Sequence, residues 1–152
     1  MKKTFFLSLI IFFVMVASSR VSAQDSGFGA GVIFGEPTGV SIKLWTSETT
    51  AIDGGLAWSF YNGGFMHIHA DFLMHKFGVI KVNSGRLPLY FGIGARLGFG
   101  NELRLGARVP IGLDYLFDEA PVDIFLEIAP GLDLTPATQF ALDGGIGVRY
   151  FF

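Results

Sequence analysis

The feature that most constrains this chain is an alternation of apolar and polar or small residues with a period of two, repeated along nearly its whole length. In the segment Phe65 to His75, Met66, Ile68, Ala70, Phe72 and Met74 fall on one side, while His67, His69, Asp71 and His75 fall on the other, with Leu73 out of place. Leu89, Phe91, Ile93, Ala95, Leu97 and Phe99 alternate with Tyr90, Gly92, Gly94, Arg96 and Gly98. At the C-terminus Phe140, Leu142, Ile146, Val148, Tyr150 and Phe152 alternate with Ala141, Asp143, Gly145, Gly147, Arg149 and Phe151. Successive side chains of a strand point to opposite faces, whereas a helix would repeat every 3.6 residues, so the pattern predicts strands. Further strands are predicted at Phe28–Phe34, Val40–Thr46, Ala51–Phe60, Leu103–Phe117 and Val122–Ala129, which makes eight.

The breaks between them are short and carry turn residues: Gly35-Glu36-Pro37-Thr38-Gly39, Ser47 to Thr50, Tyr61-Asn62-Gly63-Gly64, Gly100-Asn101-Glu102, Asp118 to Pro121, and Asp133 to Thr138. Neighbouring strands are therefore expected to pair as antiparallel hairpins. Two places strain the pattern. Leu103 to Phe117 is longer than the roughly 9–11 residues a tilted strand needs to cross a bilayer, and Pro110 lies inside it, which implies a bulge or a projecting end. Lys76 to Leu87 is the longest connector, and it falls on the periplasmic side if both termini do, where turns are usually short.

Alternation also suits a soluble barrel, so the contents of the two faces must decide. The apolar face is large in every strand, with Ile42, Leu44, Ile52, Leu56, Trp58, Leu105, Val109, Leu113, Ile124, Leu126 and Ile128 added to those above. The other face is rich in glycine and in opposite charges: Lys43, Arg96, Arg104, Arg108 and Arg149 against Asp53, Asp71, Asp114, Asp123, Glu127 and Asp143. Large apolar groups cannot be packed into a narrow barrel beside so little small space, but they can ring its outside. The reading is a closed, eight-stranded antiparallel transmembrane β-barrel, even-numbered as bacterial single-chain barrels are, with a lumen just wide enough to be filled by side chains. Phe28, Phe34, Trp58, Phe60, Phe99, Tyr115, Phe117, Tyr150 and Phe152 sit near strand ends, as interfacial aromatic girdles do.

Ahead of the strands, Met1-Lys2-Lys3, the apolar run Phe5 to Ala17 and Val21-Ser22-Ala23 have the three parts of a secretory signal peptide, with cleavage expected after Ala23. The domains are then residues 1–23, the leader, and 24–152, the barrel. Three of the 11 basic residues belong to the leader, so the barrel carries eight against 13 acidic ones, a formal charge of −5 that argues against nucleic acid as a partner. With no cysteine, an exported domain has neither disulfides nor a lipid-bearing thiol, and its fold alone must hold it.

The ending Ile146-Gly-Val-Arg-Tyr-Phe-Phe152 resembles the C-terminal signal of outer-membrane barrels, in which alternate apolar residues and a terminal phenylalanine, here Ile146, Val148, Tyr150 and Phe152, are read by the barrel-assembly machinery. The wider pattern includes Gly35-Glu-Pro-Thr-Gly39 running into Ser41-Ile-Lys-Leu-Trp45, then Ala51-Ile-Asp-Gly-Gly55, Arg86-Leu-Pro-Leu-Tyr90, Glu127-Ile-Ala-Pro130 and Asp133-Leu-Thr-Pro136. It resembles the DUF3996-type family of small bacterial outer-membrane barrels, related to a Borrelia surface barrel, over essentially the whole mature chain. The resemblance implies fold and location, and it brings no catalytic residues.

Of candidate chemistry, His67, His69 and Asp71 are metal-like, since alternate strand residues project together, but the same residues serve equally as members of the lumen's polar network, the preferred reading. A lipid-modifying enzyme would draw on Ser59, His67 and His75, and no spacing joins them into a triad. Gly92-x-Gly94 and Gly145-x-Gly147 precede no helix and so are not phosphate loops. The functional expectation is a non-enzymatic, monomeric outer-membrane barrel without cofactor or metal. Outer-membrane lipid surrounds it, and its role is structural or a surface interaction with an unidentified ligand. A narrow pore is the alternative, and eight strands leave little bore.

Overall fold

The computed structural model describes residues 27–60 and 64–152; the predicted leader, and all but the last residue of the turn at 61–64, lie outside the described residues. Nine strands follow one another: β1 Phe28–Glu36, β2 Thr38–Trp45, β3 Thr50–Ser59, β4 Phe65–Ile80, β5 Leu87–Phe99, β6 Leu103–Arg108, β7 Ile111–Leu116, β8 Val122–Thr135 and β9 Gln139–Phe151. Every pairing is antiparallel, and the single sheet closes on itself. β1 pairs β9, which brings the two ends of the strand sequence together, and the ring runs on through β8, then β6 and β7, then β5 and β4. Closure leaves no edge with unpaired backbone groups.

Nine strands occupy eight positions, because β6 and β7 are two halves of one crossing. Both lie between β5 and β8. The interruption is at Val109 and Pro110, where proline has no N–H to give to the ladder. The Gly92 N–H instead donates to the Pro110 carbonyl at 2.9 Å, and the Val109 N–H to the Pro130 carbonyl at 2.9 Å. Parity survives the break: Arg108, Pro110 and Gly112 are buried, while Val109 and Ile111 are exposed. The long predicted strand from Leu103 to Phe117 is thus one stave with an interruption in its middle.

Two strands run well past the ends expected from the sequence. β4 runs on past His75 to Ile80, with an irregularity in its pairing to β5 between Lys76 and Ile80, so the supposed long connector shrinks to residues 81–86. That connector is tied down: the backbones of Arg86 and Leu116 exchange hydrogen bonds of 3.0 and 2.8 Å, the Gly85 N–H donates to Asp118 at 2.6 Å, and the Tyr115 hydroxyl donates to the Ser84 carbonyl at 2.9 Å. β8 continues through Pro130 and Gly131 to Thr135, so Asp133 belongs to a strand and not to a turn. Two of the turns at the end away from the termini carry cis peptide bonds, at Glu36–Pro37 and Thr135–Pro136.

The barrel is inside-out relative to a soluble one. Leu126 is 55% exposed, Ile93 65% and Phe140 72%, whereas Lys43, Asp114 and Asp123 are at 0%. A contiguous apolar mantle of this extent has no place in water, and it is the surface of a barrel that spans a membrane with its polar groups turned inward. Aromatic residues gather at both rims. Phe28 stacks on Phe152 at 6.4 Å, Tyr150 meets Phe152 at 5.2 Å and Tyr115 meets Phe117 at 4.8 Å at the end that holds the termini. Phe34, Trp58, Phe60 and Phe99 stand exposed at the opposite end.

Candidate functional site: the lumen and its open mouth

Inward-facing positions of all the staves converge on the axis, and their side chains form layers. Nearest the termini lies an apolar layer in which Trp45, Ala51, Leu116 and Phe151 are buried together, with Phe77 from the extended β4 packed against them. It closes that end of the lumen with hydrocarbon.

Directly beyond it is a layer of charge drawn from six strands. Lys43 on β2 donates to Asp114 on β7, and its ammonium also lies 2.9 Å from His75 Nε2 on β4 and 4.2 Å from the centre of the Trp45 ring. Arg149 on β9 grips Asp123 on β8 through Nη2 at 2.8 Å and Nε at 3.1 Å, and reaches Asp114 at 3.6 Å and Asp53 on β3 at 3.8 Å. Its guanidinium lies 4.0 Å from the centre of the Phe125 ring. Phe125, Leu73 and Tyr90 make a second apolar layer. Leu73, the residue out of place in the alternation, is therefore an interior side chain.

A second charged layer follows. Arg108 on β6 pairs with Glu127 at 2.5 Å, Asp71 at 3.3 Å and Asp143 at 3.5 Å. Arg96 on β5 pairs with Asp143 at 3.1 Å and Asp133 at 3.4 Å. The Tyr90 hydroxyl joins in by donating to Glu127 at 2.8 Å. These pairs are nearly fully buried, where removal of one partner would strand the other charge in a medium that cannot solvate it.

The space for this packing comes from glycine. Leu73 is paired in register with Gly92, Asp71 with Gly94, and Phe125 with Gly147. A methyl group on Gly147 would run into the Phe125 ring, and one on Gly94 into the Asp71 carboxylate. Each bulky inward group thus lies over a bare stretch of the neighbouring strand.

The sequence-predicted residues divide between two places. Lys43, Asp53, Asp71, Arg96, Arg108, Asp114, Asp123, Glu127, Asp143 and Arg149 are all buried in the lumen and ion-paired there. Arg104 is not among these pairs: it is half-buried at the mouth opposite the termini, with its guanidinium 5.5 Å from the centre of the Phe65 ring. His67 and His69 point inward one layer below that mouth, ring centres 5.5 Å apart. Both nitrogens of His67 and Nδ1 of His69 are buried without a hydrogen-bond partner among the described residues. No group of three or more potential ligands that could hold a metal ion occurs among the described residues.

Sequence reasoning missed Asp133, which it put in a turn, and did not count His75 and Tyr90 in the network. The expected balance of five cations against six anions changes accordingly. Four cations, Lys43, Arg96, Arg108 and Arg149, are buried with seven carboxylates once Asp133 joins and Arg104 leaves. Unbroken parity from Asp123 through Phe125, Glu127, Ala129 and Gly131 was the available signal for Asp133, masked by Pro130-Gly131. Of the residues raised for an enzyme, Ser59 donates to Glu36 at the open end, while His75 lies at the other end beside Lys43.

No protein-family model matches the chain, and no curated protein is similar to it at a significant level. Among solved structures, the chain is similar to the crystal structure of the N-terminal β-barrel domain of Pseudomonas aeruginosa OprF, with a TM-score of 0.61 and 16% identity. The match covers 86% of this chain and 100% of that one. At this identity the likeness speaks to the fold, and the fold is a β-barrel.

Proposed function

We propose that the protein is a small integral outer-membrane barrel with a structural or surface-interaction role and a lumen filled by its own side chains. The observation that carries this reading is the inversion of the molecule: charges from every part of the chain are sequestered along the axis while large apolar side chains cover the outside. In this reading residues 1–23 are the export leader, and the end holding the termini faces the periplasm. Ile146, Val148, Tyr150 and Phe152 are the residues the barrel-assembly machinery reads. The chain acts as a monomer, without catalysis, and its sequence pattern places it with the DUF3996-type barrels.

The apolar layer of Trp45, Leu116 and Phe151 supports a sealed bore over a pore, since an ion would have to cross both that layer and two interlocked charged layers. Fractionation tests the location: the protein is expected to stay in carbonate-washed outer membranes and to migrate differently on gels before and after heating. Appearance in the wash supernatant would overturn the membrane reading. Single-channel recording in planar bilayers tests the seal, and sustained conductance well above background would replace it with the pore.

A further inference from the structure

One part of the end that holds the termini is built unlike the rest of its rim. β4 is the longest strand, and it runs on after its neighbour has stopped. β3 begins at Thr50, which pairs with Met74, so from Lys76 to Ile80 the strand has β5 on one side and no strand on the other among the described residues. The ladder to β5 shifts between Lys76 and Ile80, and Gly78 at the shift takes a φ of 79°, in the left-handed region that favours glycine. Phe77 packs inward onto the apolar layer that closes the lumen, while Val79 is left 62% exposed, with Ile80 and Val82 also on the surface. The hydrogen bonds at Ser84, Gly85 and Arg86 fasten the far end of this ribbon to β7 and the turn after it, so it is a fixed platform. Its charge is as uneven as its length. Of the eight basic residues that follow the leader, Lys43, Arg96, Arg108 and Arg149 are ion-paired in the lumen and Arg104 stands at the opposite mouth. The other three, Lys76, Lys81 and Arg86, all belong to this ribbon. Arg86 lies over the Phe77 ring at 5.4 Å. Lys76 and Lys81 are exposed, and neither is ion-paired among the described residues.

We propose that this ribbon is a docking surface for acidic phospholipid headgroups of the leaflet at the end holding the termini, an inference that rests on the membrane reading above. Lys76 stands where the outward apolar row of Ile68, Ala70, Phe72 and Met74 on β4 gives way to charge, which is the level at which headgroups begin. Exposed valines and an isoleucine beside two lysines are the combination that settles at a membrane boundary: the apolar parts enter the acyl region, and the long cationic side chains reach the phosphates. A zwitterionic headgroup neutralises its own phosphate, so a positive surface selects acidic lipid. The acids of this end leave the lysines uncancelled. Asp118 accepts the Gly85 N–H, and Glu48 and Glu119, on the β2–β3 and β7–β8 turns, are not ion-paired with either lysine. Lysines on an open strand edge can also serve only to keep another strand from adding there, a role that needs no lipid and predicts no headgroup preference. Exposed apolar side chains next to the same lysines favour the lipid, since they would invite the very association that edge lysines prevent.

The test uses the full mature chain folded in zwitterionic detergent, with phosphatidylglycerol and phosphatidylcholine of the same acyl chains titrated separately and bound lipid counted by native mass spectrometry. Phosphatidylglycerol is expected to bind about tenfold or more tightly, with the preference falling about fivefold in Lys76→Gln or Lys81→Gln and vanishing in the double variant. Added salt should weaken it. Arg104→Gln, at the opposite mouth, should leave it unchanged. Heat-dependent gel migration of each variant separates lost binding from lost folding. Equal affinity for the two lipids, or a preference that survives in the folded double variant, overturns the docking surface. So does tighter binding of soluble polyglutamate than of phosphatidylglycerol, which would make the partner an acidic polypeptide. Retention in carbonate-washed membranes is measured alongside: loss of the headgroup preference in a protein that stays there sinks this surface and leaves the membrane reading standing.

Discussion

The two ends of the lumen solve the same problem in opposite ways. At the end holding the termini, Trp45, Leu116, Phe151 and Phe77 lay hydrocarbon over the charges behind them, and Lys43, Asp114, Arg149 and Asp123 are ion-paired with one another. At the far end Arg104, Asn101 and Glu102 line an open cavity, and Arg104 keeps part of its surface in contact with solvent. The difference teaches that a charge inside a barrel can be stabilised by a partner or by water, and that its energetic weight depends on which. A buried arginine without its carboxylates has nowhere to turn, whereas one at the mouth has bulk solvent within reach.

The strongest way to break that contrast is Arg149→Leu. It leaves Asp123, Asp114 and Asp53 without their shared cation and is expected to cost about 3–5 kcal/mol, read from urea unfolding in lipid vesicles. An effect below about 1 kcal/mol would mean that water reaches this layer, and the sealed end would no longer differ from the open one. Next in size is Leu126→Arg on the outer face, expected to cost about 2–4 kcal/mol, against about 0–1 kcal/mol for Leu134→Arg near the far end of the same strand. Equal costs at the two positions would contradict the placement of Leu126 deeper in the bilayer. Gly147→Ala, which forces a methyl into the Phe125 ring, should destabilise by about 1–3 kcal/mol, and pairing it with Phe125→Leu should recover part of that loss if the clash is the cause. Smallest of all, Arg104→Gln is expected to change stability by no more than about 0.5 kcal/mol, because the mouth solvates whatever stands there. A loss comparable to that of Arg149→Leu would make Arg104 a member of the buried network after all.

How far these features could be read in advance depended on their range. The face of each residue was legible because strand geometry acts over two positions, and it held even through the interruption at Pro110. Strand ends were less legible. Pro130-Gly131 looks like a stop locally, yet β8 passes through it because its neighbours on both sides keep pairing with it. Lys76 to Ile80 looks like a loop, yet β5 draws it into the sheet.

The pairing of charges was hardly legible at all. Lys43 lies in register beside Asp53 but is bound to Asp114, four staves away on the opposite side of the ring, and Arg108 finds Asp71 and Asp143 on strands that are not its neighbours. Among the ion pairs of the described residues, only Arg149 and Asp123 are partners both in register and in space. The matching of Leu73 with Gly92 and Phe125 with Gly147 is of the same kind: both members are visible in the chain, and their adjacency is not.

By itself the sequence determined that this chain forms strands, that they close, and that oil faces outward and charge inward, since these follow from the order of side chains along a pleated backbone. Tertiary structure alone decided which charges neutralise which, that one end is dry and the other open, and that Arg104 stands apart from Arg96, Arg108 and Arg149. Those outcomes depend on the stagger with which the ring closes, and stagger sets the level of every residue along the axis at distances no local pattern can encode.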